Sequence, residues 1–230
     1  MKKKIIGIIP AREGSKEIKL KNLQRIGNKS LLQIAIEESS KSKLIDNLIL
    51  TSESEKIINH AKKFNINIPF TRSKKLAGDK SKTFDVIRDA LLRCEKIYDT
   101  KYDIAVVLQP TTPFRKYETI DKAIKKLIKN NLDACISIKK TSYPTEWNLK
   151  IDNDILTNIV PRGNLVSRRQ DAIKSYQPAG SVYVLTTKCL MNLKNLLPNK
   201  NTSGIIVSEK EGINIDNKDQ LDYARYLYKS

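Results

Sequence analysis

Short, wholly apolar runs alternate along this chain with longer stretches whose apolar residues recur at helical spacing. KIIGIIP (4–10), DNLILTS (46–52) and DIAVVLQ (103–109) carry apolar side chains on successive residues, so strands made from them must be covered on both faces. Helical stretches follow at 30–40, 54–64 and Thr83–Ile97, the last with Phe84, Ile87, Ala90, Leu91 and Cys94 on one face. NINIPF (65–70) reads as a further strand, and a helix over 117–130 leads into DACISIKK (133–140). This βαβ rhythm predicts an α/β fold, a mostly parallel central sheet with helices on both faces.

The rhythm breaks near residue 141. The segment 141–178 is mixed in composition and has an Asp-Asn-Asp turn at 152–154, which predicts a hairpin and an arm projecting from the core. GSVYVLT (180–186) returns to strand, followed by a short helix, a strand GIIVS (204–208) and a last helix over 218–229. The expectation is one domain, 1–230, with an inserted lobe at 141–178. A length of 230 residues with 40% hydrophobic composition suffices for one core and excludes a chain disordered throughout.

The first residues, MKKKIIGIIPAR, are basic and then apolar like a secretion signal, but the apolar stretch is shorter than the roughly 7–15 residues such a signal needs. No apolar run reaches the roughly 18–20 residues of a membrane span. A buried first strand is the expectation, with a cytoplasmic location and no membrane partner. Three cysteines, Cys94, Cys135 and Cys189, lack metal-site spacing and are odd in number, which fits a reducing compartment. The single histidine, His60, lies in a helical stretch with no nucleophile elbow nearby, so a structural role is expected for it.

The formal charge of +18 raises the class of nucleic-acid-binding proteins. The pattern weakens that class, because 33 of the 43 basic residues are lysines scattered along the whole chain. Arginine reads planar anions better. Six of the ten arginines, Arg12, Arg72, Arg115, Arg162, Arg168 and Arg169, fall in loops, which suits a site for a small polyanion and no nucleic-acid partner.

In open α/β sheets ligands gather outside the carboxyl ends of the strands. Three loops bring distinctive chemistry there. AREGSKEIKLKN (11–22) holds Ala11, Arg12, Gly14, Ser15, Lys16, Lys19, Lys21 and Asn22, cations with a tight turn that admits a phosphate. It matches neither GxxxxGK[ST] nor GxGxxG, and a solvated basic loop would look similar. QPTTPFR (109–115) places Gln109 at the end of a buried strand, before two prolines that stiffen the turn; a simple structural turn is the alternative. GINIDNKD (212–219) offers Asp216, flanked by Asn214 and Asn217, as a hard oxygen ligand for Mg²⁺. Asp216 could equally cap the last helix.

Together these segments resemble the CMP-N-acylneuraminate cytidylyltransferase family. IIPAREGSKEIKLKN resembles its strand followed by A-R-x-x-S-K and K-N, and VVLQPTTPFR resembles L-Q-P-T-S-P-L-R. SRRQD with YQPAGSVYV resembles R-R-Q and R-P-N-G-A-I-Y, and INID resembles I-D-I-D. The resemblance implies a nucleotide-diphospho-sugar transferase-like fold and the transfer of CMP from CTP to the anomeric hydroxyl of an acidic nine-carbon ketosugar. It implies that Arg12, Lys16, Lys21 and Asn22 hold triphosphate and ribose, that Arg72 and Thr83 read cytosine, and that Gln109 contacts the sugar. It implies that 141–178 is a dimerisation arm carrying Arg168, Arg169 and Gln170 to the sugar site of a homodimer partner, and that Asp216 ligates Mg²⁺. The chain departs from the pattern at Asn214, where the family has an aspartate, and at Gln177 to Ala179, where it has R-P-N. An amide is a weaker Mg²⁺ ligand than a carboxylate, which keeps a nucleotide-binding protein with weak turnover as an alternative.

Overall fold

The structure, a computed structural model, describes residues 2–78, 81–160, 166–193 and 201–229 of the chain. Six strands form the central sheet: β1 (Ile5–Pro10), β4 (Asn47–Thr51), β5 (Ile104–Val107), β6 (Ala134–Lys140), β9 (Tyr176–Thr186) and β10 (Thr202–Ile206). Their order is β10-β6-β9-β5-β1-β4. β1 runs parallel to β4 and β5, β10 runs parallel to β6, and β9 alone is reversed, antiparallel to both neighbours. The mostly parallel sheet expected from the sequence is therefore present.

Strand periodicity assigns each residue to a face. In β1, Ile5 and Ile9 join the core on one side while Ile6 and Ile8 join the core on the other. Ile104 and Val106 separate from Ala105 and Val107 in the same way, as do Val182 and Val184 from Tyr183 and Leu185. Helices α1 (Leu31–Ser39), α2 (Glu55–Ala61) and α4 (Tyr117–Lys129) cover the first face through Leu32, Ile36, Ile57, Ile120 and Ile124. Helices α3 (Thr83–Ile97) and α5 (Thr187–Asn192) cover the second through Phe84, Ile87, Leu91 and Leu190. Helix α6 (Lys218–Lys229) closes a smaller third core, in which Leu221 and Ala224 meet Ile18, Ile26 and Ile215. A small hairpin of β2 (Arg25–Ile26) and β3 (Lys29–Ser30) lies beside α6 and turns at Gly27, where φ is +60° and an added Cβ would come within 2.5 Å of the Tyr228 ring.

Three sequence expectations need correction. NINIPF is not a strand: it makes one bridge, Ile49 to Asn67, because Pro69 has no N–H to continue a ladder. Helix 54–64 stops at Ala61 and tightens into a 3₁₀ turn over Lys62–Phe64, with Asn65 left-handed at φ 52°. The last strand pairs two residues earlier than expected, over Thr202–Ile206. The arm hairpin is present as β7 (Leu149–Asp152) and β8 (Ile155–Asn158), turning through Asn153 and Asp154 at φ 47° and 65°. β9 starts inside the expected lobe, at Tyr176, and Thr141 bonds Ser175 across the base of the arm. Arg162 lies outside the described residues.

Candidate functional site

The carboxyl ends of β1 and β5 open into a cavity of about 220 Å³. Arg12, Gly14, Ser15, Lys21 and Asn22 of the first loop line it, with Arg72 and Thr83, Gln109 of the second loop, and Asp216 of the third. Residues separated by up to about two hundred positions thus meet at one site, as the strand-end rule anticipates.

The backbone of the first loop is pinned residue by residue. The Ala11 amide donates to the Thr51 carbonyl at 3.1 Å, and the Ala11 carbonyl accepts from Arg72 Nη2 at 3.2 Å. Asn22 Nδ2 donates to the Arg12 carbonyl at 2.9 Å, and the Glu13 amide donates to Glu53 Oε1 at 2.8 Å. Glu13 is itself held by Ser54 Oγ at 2.6 Å and Lys56 Nζ at 3.3 Å, and these two bonds hold its carboxyl below the usual range. With 11 to 13 fixed, Gly14 and Ser15 face the cavity. Leu20 then adopts the left-handed region at φ 51°, a conformation costing roughly 1–2 kcal/mol for an L-residue, and this sharp turn delivers Lys21 and Asn22 to the wall.

The second loop is held from below. Arg115 is 3% exposed, and its Nη1 donates to the Gln109 carbonyl at 2.9 Å, the Ser181 carbonyl at 3.0 Å and Thr112 Oγ1 at 3.1 Å. Burial pushes its guanidinium down to about 10, so it stays charged at neutral pH. This anchor leaves the cavity wall to Gln109, Pro110 and Thr111. Gly180 on β9 adjoins the loop at φ +76°. A Cβ there would meet Thr112 and Asn214 at only ordinary distances of 3.7 and 3.9 Å, so the backbone angle is what requires glycine.

The third loop is tied to the second by the Ile215 amide, which donates to the Thr111 carbonyl at 2.8 Å. At the start of α6, Asn217 Oδ1 accepts from the Gln220 amide at 2.9 Å. Gln220 Oε1 accepts in return from the amides of Asn217 at 3.1 Å and Asp216 at 2.7 Å. This reciprocal pair caps the helix, so Asp216 does not. Its side chain is 63% exposed, with Lys21 Nζ at 3.2 Å from one oxygen and Asn214 Nδ2 at 2.6 Å from the other.

These donors bear on a metal. Among the described residues no group of three or more His, Cys, Asp or Glu is placed to hold an ion. Asp216 offers one exposed carboxylate, and the buried Oδ1 of Asn214 beside it makes no hydrogen bond among the described residues. That set fits Mg²⁺, which binds through one or two carboxylates and completes its shell with water and phosphate oxygens.

Several expected site residues stand outside the cavity lining. Ala11 is buried behind it, Lys16 is not part of the wall, and Asn214 sits behind Asp216. Arg169 and Gln170 line a separate hollow of about 160 Å³ at the base of the arm, with Lys140 and Lys174, and Arg169 Nη2 donates to the Ser142 carbonyl at 2.6 Å. Arg168 pairs with Asp171 at 2.7 Å. Within one chain these three do not join the cavity. Glu53, which binds both Arg72 and the first loop, belongs to none of the three loops singled out from the sequence. Its position just after β4 was a usable signal, since the same strand-end rule applies to it.

No histidine or thiol nucleophile enters the cavity lining. Ser30 Oγ and His60 Nε2 share a hydrogen bond at 2.8 Å, and Ser30 Oγ also accepts the Gln33 amide as its helix-cap bond, so His60 is engaged at the start of α1 and outside the cavity lining. All three cysteines are buried, and burial pushes the Cys94 thiol up to about 12.

Pseudaminic acid cytidylyltransferase of Campylobacter jejuni is 28% identical over 222 residues, covering 96% of this chain and 95% of that protein. CMP-N,N'-diacetyllegionaminic acid synthase of Legionella pneumophila is 29% identical over 229 residues, covering 96% and 94%. Among solved structures, CMP:2-keto-3-deoxy-manno-octonic acid synthetase complexed with CTP superimposes with a TM-score of 0.72 at 14% identity, covering 98% of each chain. The 4-diphosphocytidyl-2C-methyl-D-erythritol synthase of Anaerococcus prevotii superimposes with a TM-score of 0.67 at 18% identity, covering 99% and 97%. These neighbours share the nucleotide-diphospho-sugar transferase fold expected from the sequence. The family model described as cytidylyltransferase matches residues 6–191, and the chain belongs to the cytidylyltransferase family.

Proposed function

We propose that this enzyme transfers CMP from CTP to the anomeric hydroxyl of an acidic nonulosonic sugar and releases pyrophosphate. The observation that carries this reading is the convergence of Arg12, Lys21, Arg72, Gln109 and Asp216 on one cavity at the strand ends. The sugar oxygen forms a bond to the α-phosphorus in line, the bond from that phosphorus to the bridging oxygen breaks, and the hydroxyl proton leaves to solvent. Arg12 and Lys21 neutralise charge on the triphosphate, and the amides of Gly14 and Ser15 add donors from a turn that is already fixed. Lys21 exchanges its partner Asp216 for phosphate when nucleotide arrives. Asp216, oriented by Asn214, is the residue that would hold Mg²⁺, which when bound neutralises phosphate charge and lowers the pKa of an oxygen it touches. Lys16 is assigned to the same triphosphate end and Thr83 to the base. Most of the rate comes from positioning and charge neutralisation, so no histidine base is required.

Gln109 sits on the wall where the acceptor enters. Arg168, Arg169 and Gln170 reach a sugar only if the arm of a second copy crosses to this cavity, so the reading includes a homodimer built by 141–178. Ile151 and Leu156 face each other on the hairpin at 71% and 62% exposure, an apolar face that such a partner would cover. An arginine there would bind the acceptor carboxylate with two parallel hydrogen bonds. Among the described residues no helix is long and apolar enough to cross a membrane. CTP supply assigns the reaction to the cytoplasm.

The test is pyrophosphate release from CTP with Mg²⁺ and a panel of acidic ketosugars, including pseudaminic, legionaminic and N-acylneuraminic acids. Turnover with at least one is expected. Folded protein that binds CTP but turns over none of them supports the competing reading, nucleotide binding without transfer, which Asn214 motivates.

A further inference from the structure

Glu53 lies on the turn between β4 and α2, and its carboxylate faces inward. The side chain is 12% exposed and pairs with Arg72, which is 3% exposed. Its two oxygens do different jobs. Oε1 accepts the Glu13 amide at 2.8 Å and so fixes the cationic loop. Oε2 accepts Arg72 Nη2, which also donates to the Ala11 carbonyl at 3.2 Å. The Arg72 backbone amide is tied to the Ser52 carbonyl at 2.9 Å, so chain and side chain are both anchored to the same turn. Nη2 is consumed by protein acceptors, and the buried Nε makes no hydrogen bond among the described residues. The guanidinium lines the cavity with part of its fork uncommitted.

We infer that Glu53 is a positioning residue for nucleotide base selection. The inference rests on the cytidylyl reading above and adds a residue to it. A cytosine presents two adjacent acceptors, N3 and O2, whereas uracil presents a donor at N3. A guanidinium held rigidly in one orientation accepts the first and rejects the second, because the wrong base leaves a buried donor facing a donor. A guanidinium free to swing discriminates poorly. Glu53 removes that freedom by taking one corner of the fork, and it supplies the counter-charge beside the buried guanidinium.

The test measures CTP and UTP binding by calorimetry in the presence of Mg²⁺, on the parent and on Glu53→Gln, Glu53→Asp, Arg72→Gln and the double variant Glu53→Gln with Arg72→Gln. Gln at 53 turns a donor toward Arg72, and Asp is too short to hold both partners. Each single change at 53 is expected to cut the CTP:UTP affinity ratio by about tenfold or more. In the Arg72→Gln background, Glu53→Gln should change that ratio no further, which a merely structural residue would not reproduce. Should Glu53→Gln fail to fold, Glu53→Asp and the charge-neutral double variant carry the same comparison. Parent selectivity retained in a folded variant at 53, or a further loss in the double variant, overturns the inference while leaving the cytidylyl reading intact. A parent that binds neither nucleotide overturns both.

Discussion

Lys21 and Asp216 form an ion pair 3.2 Å long across the cavity mouth, with side chains 17% and 63% exposed. A pair this open to solvent contributes little to folding, about 0–1 kcal/mol, so its residues can be changed without unfolding the chain. Lys21→Met should lower kcat/KM for CTP by about 10²–10³-fold, a loss of roughly 2.7–4 kcal/mol of transition-state stabilisation, with a nearly unchanged melting temperature. Steady-state kinetics beside a thermal scan checks both halves. Asn214→Asp should tighten metal binding, because a second carboxylate then stands beside Asp216. Paramagnetic resonance of Mn²⁺, titrated with and without CTP, should show the largest gain without nucleotide. Equal Mn²⁺ affinity in parent and variant would mean that position 214 does not face the ion. Both side chains were legible in the sequence from their strand-end loops. Their pairing was not, since 195 residues separate them.

Helix α6 shows how an element frees a residue for a site. The spacing of Asn217 and Gln220 allows a reciprocal cap, and the structure has one. Asn217→Ala should therefore destabilise the fold by about 1 kcal/mol, whereas Asp216→Ala should leave the melting temperature unchanged and abolish metal-dependent turnover. Similar shifts for the two variants would contradict the assignment of the cap. Helix α2 carries a pH-dependent contribution. His60 packs edge-on against Phe64 and shares a hydrogen bond with Ser30, and burial, with Lys63 and Arg25 nearby, lowers its pKa from the ordinary value. The unfolded chain then takes up the proton first. Stability is fully present above about pH 6.5 and falls as pH drops through that value toward the lower folded pKa. Melting curves across that window should slope more steeply for the parent than for His60→Gln. The element types were readable because apolar period and cap residues are local. NINIPF misled because Ile66 and Ile68 alternate with asparagines in strand period, while Pro69 and the edge position allow a single bridge.

At the scale of the whole molecule, five strands of the central sheet run one way among the described residues, and β9 enters reversed between β5 and β6. That insertion brings Gly180 and Ser181 beneath the loop after β5, where Arg115 ties them together. The arm leaves the sheet just before β9 and presents Leu149, Ile151 and Leu156 to solvent. Sedimentation equilibrium should find a dimer. Ile151→Glu with Leu156→Glu should yield a monomer with an intact core and a KM for the sugar raised well above that of the parent. A parent that sediments as a monomer would leave Arg168, Arg169 and Gln170 without a route to any acceptor.

Hydrophobic period, helix caps and the strand-end position of cationic loops are properties of short segments, and the sequence alone determined the α/β class and most of the candidate site. Three matters were decided only by tertiary structure. The reversed direction of β9 depends on which strands its two hydrogen-bonding edges find. The pairing of Lys21 with Asp216 joins residues 195 positions apart. The role of Glu53 depends on Arg72, 19 residues later, returning to the same turn. Each is a contact whose free energy exists only after distant chain has been brought together, and local propensity carries no record of it.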